Sequence, residues 1–117
     1  SAYMPENPYA VHEKNAWLDA YLPEIDSEHR IFVACGSSKA RAAANRLKTP
    51  CIDSSFVLLD DYSVNLHEWK GNRGSCIKLR NGINGNGGTW KGESVTRFDA
   101  AENIADRIWS IIKKQMQ

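Results

Sequence analysis

At 117 residues the chain has room for one domain around one core. Lys and Arg number 15 against 14 Asp and Glu, a formal net charge of +1, so no basic footprint marks a nucleic acid polymer as partner and no acidic run marks a disordered tail. No apolar run approaches a membrane span and no signal peptide is visible, while Cys35, Cys51 and Cys76 are scattered and never paired as Cys-x-x-Cys, which fits small core residues in a reducing cytoplasm.

Ser1 to Pro5 carries no pattern, and because the first methionine is Met4 the expectation is a processed chain or part of a longer one. Asn7-Pro8 is a helix start, with Asn as cap and Pro in the first turn. Ala10, Lys14, Trp17, Leu18, Tyr21 and Leu22 then fall at helical spacing until Pro23 ends the run. After a polar loop from Glu24 to Arg30, Ile31-Phe32-Val33-Ala34-Cys35 reads as a short buried strand. Gly36-Ser37-Ser38 turns with cap-competent serines, and the spacing predicts a helix over 39–47 with Ala40, Ala43, Ala44 and Leu47 on one face.

Thr49-Pro50 breaks that helix, and Phe56-Val57-Leu58-Leu59-Asp60-Asp61 follows. Four apolar residues without alternation predict a strand covered on both faces, the kind found inside a parallel sheet. A short helix is expected around Leu66 to Lys70, terminated by Gly71 and Gly74. Cys76 to Leu79 reads as a third strand, half alternating and therefore nearer an edge. Residues 81–90 contain four glycines, which forbids regular structure there. Asp99 and Glu102 have the cap-and-return spacing of a helix start, and Ala101, Ile104, Ala105, Ile108, Trp109 and Ile112 form an apolar stripe behind them. Core packing accounts for Trp17 and Trp109, whereas Trp90 in the Gly-rich segment is the candidate for exposure.

Strands alternating with helices predict a single α/β domain over residues 1–117, with a short, mostly parallel sheet and right-handed crossovers. Asp60 and Asp61 stand at the carboxyl end of its central strand, where ligands bind in open α/β sheets. Adjacent anions repel, so the pair makes sense with a cation, commonly Mg²⁺, between it and a phosphate. The plainer alternative is that Asp60 ends the strand and Asp61 caps the next turn. Lys39 opens a helix just after the preceding strand, where the helix terminus already favours an anion and the lysine adds charge to hold a phosphate. Its plainer alternative is an exposed lysine in a first turn. His12, His29 and His67 share no ligand spacing with any cysteine, and the Gly-rich loop lacks the Lys-Ser/Thr of a P-loop.

Taken together, Ser1-Ala2 through Trp17-Leu18 and Tyr21-Leu22-Pro23, then Ile31-Phe32-Val33 with Gly36-Ser37-Ser38-Lys39, then Leu58-Leu59-Asp60-Asp61-Tyr62-Ser63 with Asn65-Leu66 and Trp69 resemble the haloacid-dehalogenase (HAD) superfamily. The likeness is to its 5'(3')-deoxyribonucleotidase-like phosphatases of bacteria and phages, and it continues through Ile77-Lys78-Leu79, Asn81-Gly82-Ile83 and Thr89-Trp90, over roughly residues 1 to 92. The resemblance implies a three-layer Rossmann-like fold. It implies that Lys39 is the lysine that steadies nucleophile and phosphoryl group, that Asp60 and Asp61 are the acidic pair that helps hold Mg²⁺, and that Ser1 is the phosphate-binding hydroxyl at a strand end. The family's first motif, Asp-x-Asp-x-Thr/Val with the nucleophilic Asp, has no counterpart, since the only aspartates before Lys39 are Asp19 and Asp26 and neither follows a buried strand.

The resemblance therefore implies the carboxyl-terminal part of such a phosphatase, with an incomplete sheet that lacks its first strand between the second and the fourth. An exposed strand edge then invites a complementary amino-terminal chain or a second copy of this one. The functional expectation is a Mg²⁺-dependent phosphatase or nucleotidase part, acting on a phosphate monoester when completed and inactive alone. Two other readings stand beside it, a non-catalytic self-associating or partner-binding α/β module and an unrelated α/β domain.

Overall fold

The computed structural model describes residues 1–83 and 88–115, so residues 84–87 of the Gly-rich loop lie outside the described residues. In chain order the elements are β1 (Ala2–Tyr3), α1 (Ala10–Tyr21), a 3-10 turn at Ser27–His29, β2 (Val33–Ala34), α2 (Lys39–Arg46), β3 (Val57–Asp60), α3 (Ser63–Gly71), β4 (Ser75–Arg80), β5 (Ser94–Thr96) and α4 (Ala101–Gln115). The fold is mixed α/β, and among the described residues every strand pair is parallel.

The strands do not form one sheet. β1 pairs with β2, and a separate sheet runs in the order β3-β4-β5. The strand expected over Ile31–Cys35 is reduced to Val33–Ala34, because its partner β1 is only two residues long. β4 is not near an edge as the half alternation predicts. It is the central strand of its sheet, with Ser75 to Lys78 buried, because Ser94–Thr96 adds an edge strand that the sequence pattern does not reveal.

Each face of the three-stranded sheet has its own core. On one face Ala40 and Ala44 of α2 meet Leu66 and Trp69 of α3 and Cys76 of β4, with Leu58 packed against them. The small residues of α2 allow this close approach. On the other face Ile77 and Val95 meet Ile111 of α4, with Val57, Leu79, Ile104 and Ile108 alongside. Here the predicted stripe of the last helix holds, except that Trp109 is turned outward and 58% exposed. Trp17 is likewise 55% exposed, since α1 lies beside an open groove rather than over a sheet. Both tryptophans expected in the core are thus at the surface, and the core indole is Trp69. Trp90 is half-buried instead of exposed, packed against the α2–α3 cluster.

Of the three cysteines expected as core residues only Cys76 is buried, and burial pushes its thiol up to about 11. Cys35 and Cys51 are exposed. Among the described residues no helix is long and apolar enough to cross a membrane.

Gly74 shows how tightly the α3–β4 corner is built. A Cβ there would sit 2.2 Å from Trp69 Nε1 and 2.8 Å from Ile52 Cδ1, and Trp69 cannot yield because its Nε1 donates to Phe56 O at 3.2 Å. Gly74→Ala is expected to lower stability by about 1–3 kcal/mol through overpacking, measured as a lowered urea midpoint at unchanged m value.

Candidate functional site

The carboxyl end of β3 turns sharply into α3, and Asp60 makes that turn. Its Oδ1 accepts the Tyr62 amide at 2.8 Å, an Asx-type turn closed by the strand's last residue. The capping role that the plainer reading gave to Asp61 therefore falls to Asp60. Asn65, one turn into α3, brings Nδ2 within 3.3 Å of Asp60 Oδ2.

Lys39 reaches the same carboxylate from the other side. Ser38 caps α2 by accepting the Arg41 amide at 3.0 Å, and Ser38 Oγ also donates to Glu68 Oε1, which ties the start of α2 to α3. So placed, Lys39 Nζ donates to Asp60 Oδ2 at 2.5 Å, with the two side chains only 16% and 6% exposed. The exposed-lysine alternative is thereby excluded. Burial pushes the Asp60 carboxyl up, but the Lys39 hydrogen bond and charge, the Tyr62 amide and Asn65 outweigh it and hold the group below its ordinary value of 3.8.

Asp61 points elsewhere, its Oδ2 accepting Asn81 Nδ2 at 2.9 Å. The two carboxylates thus diverge, one facing α2 and the other the start of the Gly-rich loop. Asp60, Asp61, Lys39 and Ser1 all line one cleft of about 620 Å³ that separates the two sheets. The structure brings together all four residues singled out by sequence.

Lys78 and Asn81 carry no such signal in the sequence. Lys78 stands opposite Asp60 in the β3–β4 register, is almost wholly buried and donates from Nζ to Ser63 Oγ at 2.8 Å. A lysine inside an apolar strand pattern reads as an outward-facing residue, so only the fold reveals it beneath the first residue of α3.

Mg²⁺ is a hard cation with a narrow choice of donors. That ion takes oxygen ligands, commonly one or two carboxylates, and fills the remaining positions with water and substrate phosphate. Asp60, engaged by Lys39, the Tyr62 amide and Asn65, and Asp61, turned toward Asn81, do not converge on one position as Mg²⁺ would require of a carboxylate pair. Among the described residues no group of three or more His, Cys, Asp or Glu is gathered as a fuller cage.

The walls of the cleft are strand edges. Ser1 O accepts from Val33 and Tyr3 O accepts from Cys35, so alternation turns the backbone groups of Ala2 away from β2 and toward the cleft. Across from it Phe56 O accepts from Ser75, which leaves the N–H and C=O of Val57 and Leu59 facing away from β4. A four-residue strand occupies about 13 Å by 4.8 Å by 10 Å, about 620 Å³. The cleft, open to solvent, is large enough to admit one short strand.

No family model, curated protein or solved structure matches the chain.

Removing Lys39 leaves a buried carboxylate uncompensated. Lys39→Met is expected to cost about 3 kcal/mol at pH 7. Because the folded Asp60 value is depressed, its contribution is present above about 3.8 and lost as pH falls through the folded value. The difference between wild type and variant should therefore shrink below pH 3.8, measured by urea denaturation across pH.

Proposed function

We propose that the chain supplies the electrostatic half of a phosphoryl-transfer site of the haloacid-dehalogenase kind, a Mg²⁺-dependent phosphatase or nucleotidase part that is inactive alone. The observation that carries this reading is the buried Lys39–Asp60 ion pair, made between the first residue of α2 and the last of β3, with Asp61 and Ser1 in the same cleft.

In this role Lys39 holds a phosphoryl oxygen and the nucleophilic carboxylate in place, and its charge offsets the negative charge that gathers there. Ser1 offers its hydroxyl to the same phosphate. The resemblance assigns Mg²⁺ to Asp60 and Asp61, where it would neutralise charge on the phosphoryl oxygens; Asp60 faces Lys39 and Asp61 faces Asn81, so both side chains would have to turn to share the ion. Asp60 also keeps Lys39 oriented, and Asn65 keeps Asp60 oriented.

The attacking carboxylate comes from a strand placed in the cleft between β1 and β3. That strand joins the two sheets into one parallel sheet in the order β2-β1-guest-β3-β4-β5, the three-layer Rossmann-like form. Two unsatisfied edges and a strand-sized volume support it. A complementary chain is the favoured source, and pairing with a second copy is the alternative, in which the molecule serves as a non-catalytic self-associating module. An odd set of cysteines without a disulfide among the described residues accords with the cytoplasm.

Two measurements test the reading. The chain with Mg²⁺ and deoxynucleoside monophosphates is expected to release no phosphate above background, because the covalent route lacks its nucleophile. It is also expected to broaden the ³¹P resonance of inorganic phosphate in a Mg²⁺-dependent way, an effect lost in Lys39→Met and weakened in Asp61→Asn. Robust turnover by the chain alone, or broadening untouched by both substitutions, contradicts it.

A further inference from the structure

β4 presents alternate side chains to its two faces. Ile77 and Leu79 go to the α4 side, while Cys76 meets Leu66 and Trp69 of α3. Lys78 follows Cys76 by two residues and so points to the α3 side, where it is 1% exposed and donates from Nζ to Ser63 Oγ at 2.8 Å. Burying a polar group there costs more than burying an apolar side chain of the same volume. The position of Ser63 shows what the lysine achieves.

Ser63 is the first residue of α3, a helix whose cap residue, Tyr62, makes no side-chain cap bond. A first helical turn carries amides without helical partners and is weakly held unless other groups fix it. At the start of α2 the Ser38 hydroxyl does so. At the start of α3 the Asp60 carboxylate takes the Tyr62 amide from the strand end, and Lys78 grips the Ser63 hydroxyl from beneath. The residues around Ser63 are the ones that orient Asp60. Tyr62 donates to its Oδ1, and Asn65 brings Nδ2 to Oδ2, the oxygen that Lys39 also holds.

We propose that Lys78 is a positioning residue for the candidate site. By pinning Ser63 it fixes the first turn of α3, and through Tyr62 and Asn65 it fixes the direction of the Asp60 carboxylate and hence of Lys39 Nζ. This rests on the reading that Lys39 meets a phosphate, and it adds a residue that acts without touching the ligand, since neither Lys78 nor Ser63 lines the cleft. The path is short. Lys78 stands beside Asp60 in the strand register, and Ser63 is three residues beyond Asp60 in the chain.

The test compares the wild-type chain with Lys78→Met, Ser63→Ala and the double variant, reading inorganic phosphate by ³¹P line broadening in the presence of Mg²⁺. Either single substitution is expected to weaken phosphate binding about fivefold to tenfold, and the double variant no further, because both remove the same contact. Val64→Ala, an exposed change in the same turn, should bind as the wild type does. A second readout is independent of phosphate: urea denaturation of Lys39→Met, alone and combined with Lys78→Met. The penalty for losing Lys39 is expected to shrink about fivefold or more in the folding equilibrium constant once Lys78 is gone, since the ion pair is then already misaligned. A purely structural Lys78 would lower stability yet leave both the phosphate affinity of the folded chain and the Lys39 penalty unchanged, and that result overturns the proposal. A wild-type chain that binds no phosphate, with a Lys39 penalty that still depends on Lys78, overturns the phosphate reading and upholds the positioning of the ion pair.

Discussion

The ion pair between Lys39 and Asp60 holds the two halves of the molecule in a defined relation. Lys39 follows the two-stranded sheet and Asp60 ends the first strand of the three-stranded one, so a 2.5 Å contact spans the boundary between them. Such a pair is expensive to bury, and its Coulombic return depends on satisfying the remaining lone pairs. The Tyr62 amide and Asn65 do that for Asp60, which lets the carboxylate remain charged at the edge of the core. Asp60, which closes the turn, thus also fixes the position of the Lys39 ammonium.

The rest of the architecture is shaped by what lies beside that pair. Val57 and Leu59 carry backbone groups that β4 does not use, and Ala2 does the same on the facing wall. Natural sheets protect such edges with charge, proline or a covering loop, yet this cleft is walled by Ile31, Val33, Leu58 and Leu59. Apolar edges on both sides of a strand-sized gap make sense as the two neighbours of a strand. Asp60 closes the carboxyl end of the β3 edge beside Lys39, whereas Ser1 stands at the amino end of β1.

Much of this was legible in the residues. The apolar run ending at Asp60 and Asp61 marks β3, which is however an edge strand with Leu59 46% exposed and not the central strand covered on both faces that the run predicts, while the alanines of α2 mark a helix able to lie close to a sheet and the isoleucine stripe marks α4. Lys39 and Asp60 were drawn together by their shared position at element ends, and the fold joins them directly. What escaped has a common cause in non-local pairing. β1 and β5 are two and three residues long, too short for a period to register, and they exist only because β2 and β4 offer them edges. The same holds for Lys78, whose burial depends on α3 lying over β4, and for Trp17, whose apolar face finds a groove instead of a sheet.

A chain that carries the charges but not the attacking carboxylate should gain activity when that carboxylate is supplied in place. The direct measurement is Mg²⁺-dependent phosphate release from a mixture of the chain with a strand peptide ending in Asp, against the same peptide ending in Asn. Turnover with the Asp peptide, none with the Asn peptide and none with the Lys39→Met chain is the expected result. Equal release with both peptides, or release that survives loss of Lys39, would show that the Lys39–Asp60 cleft is not the site of phosphoryl transfer.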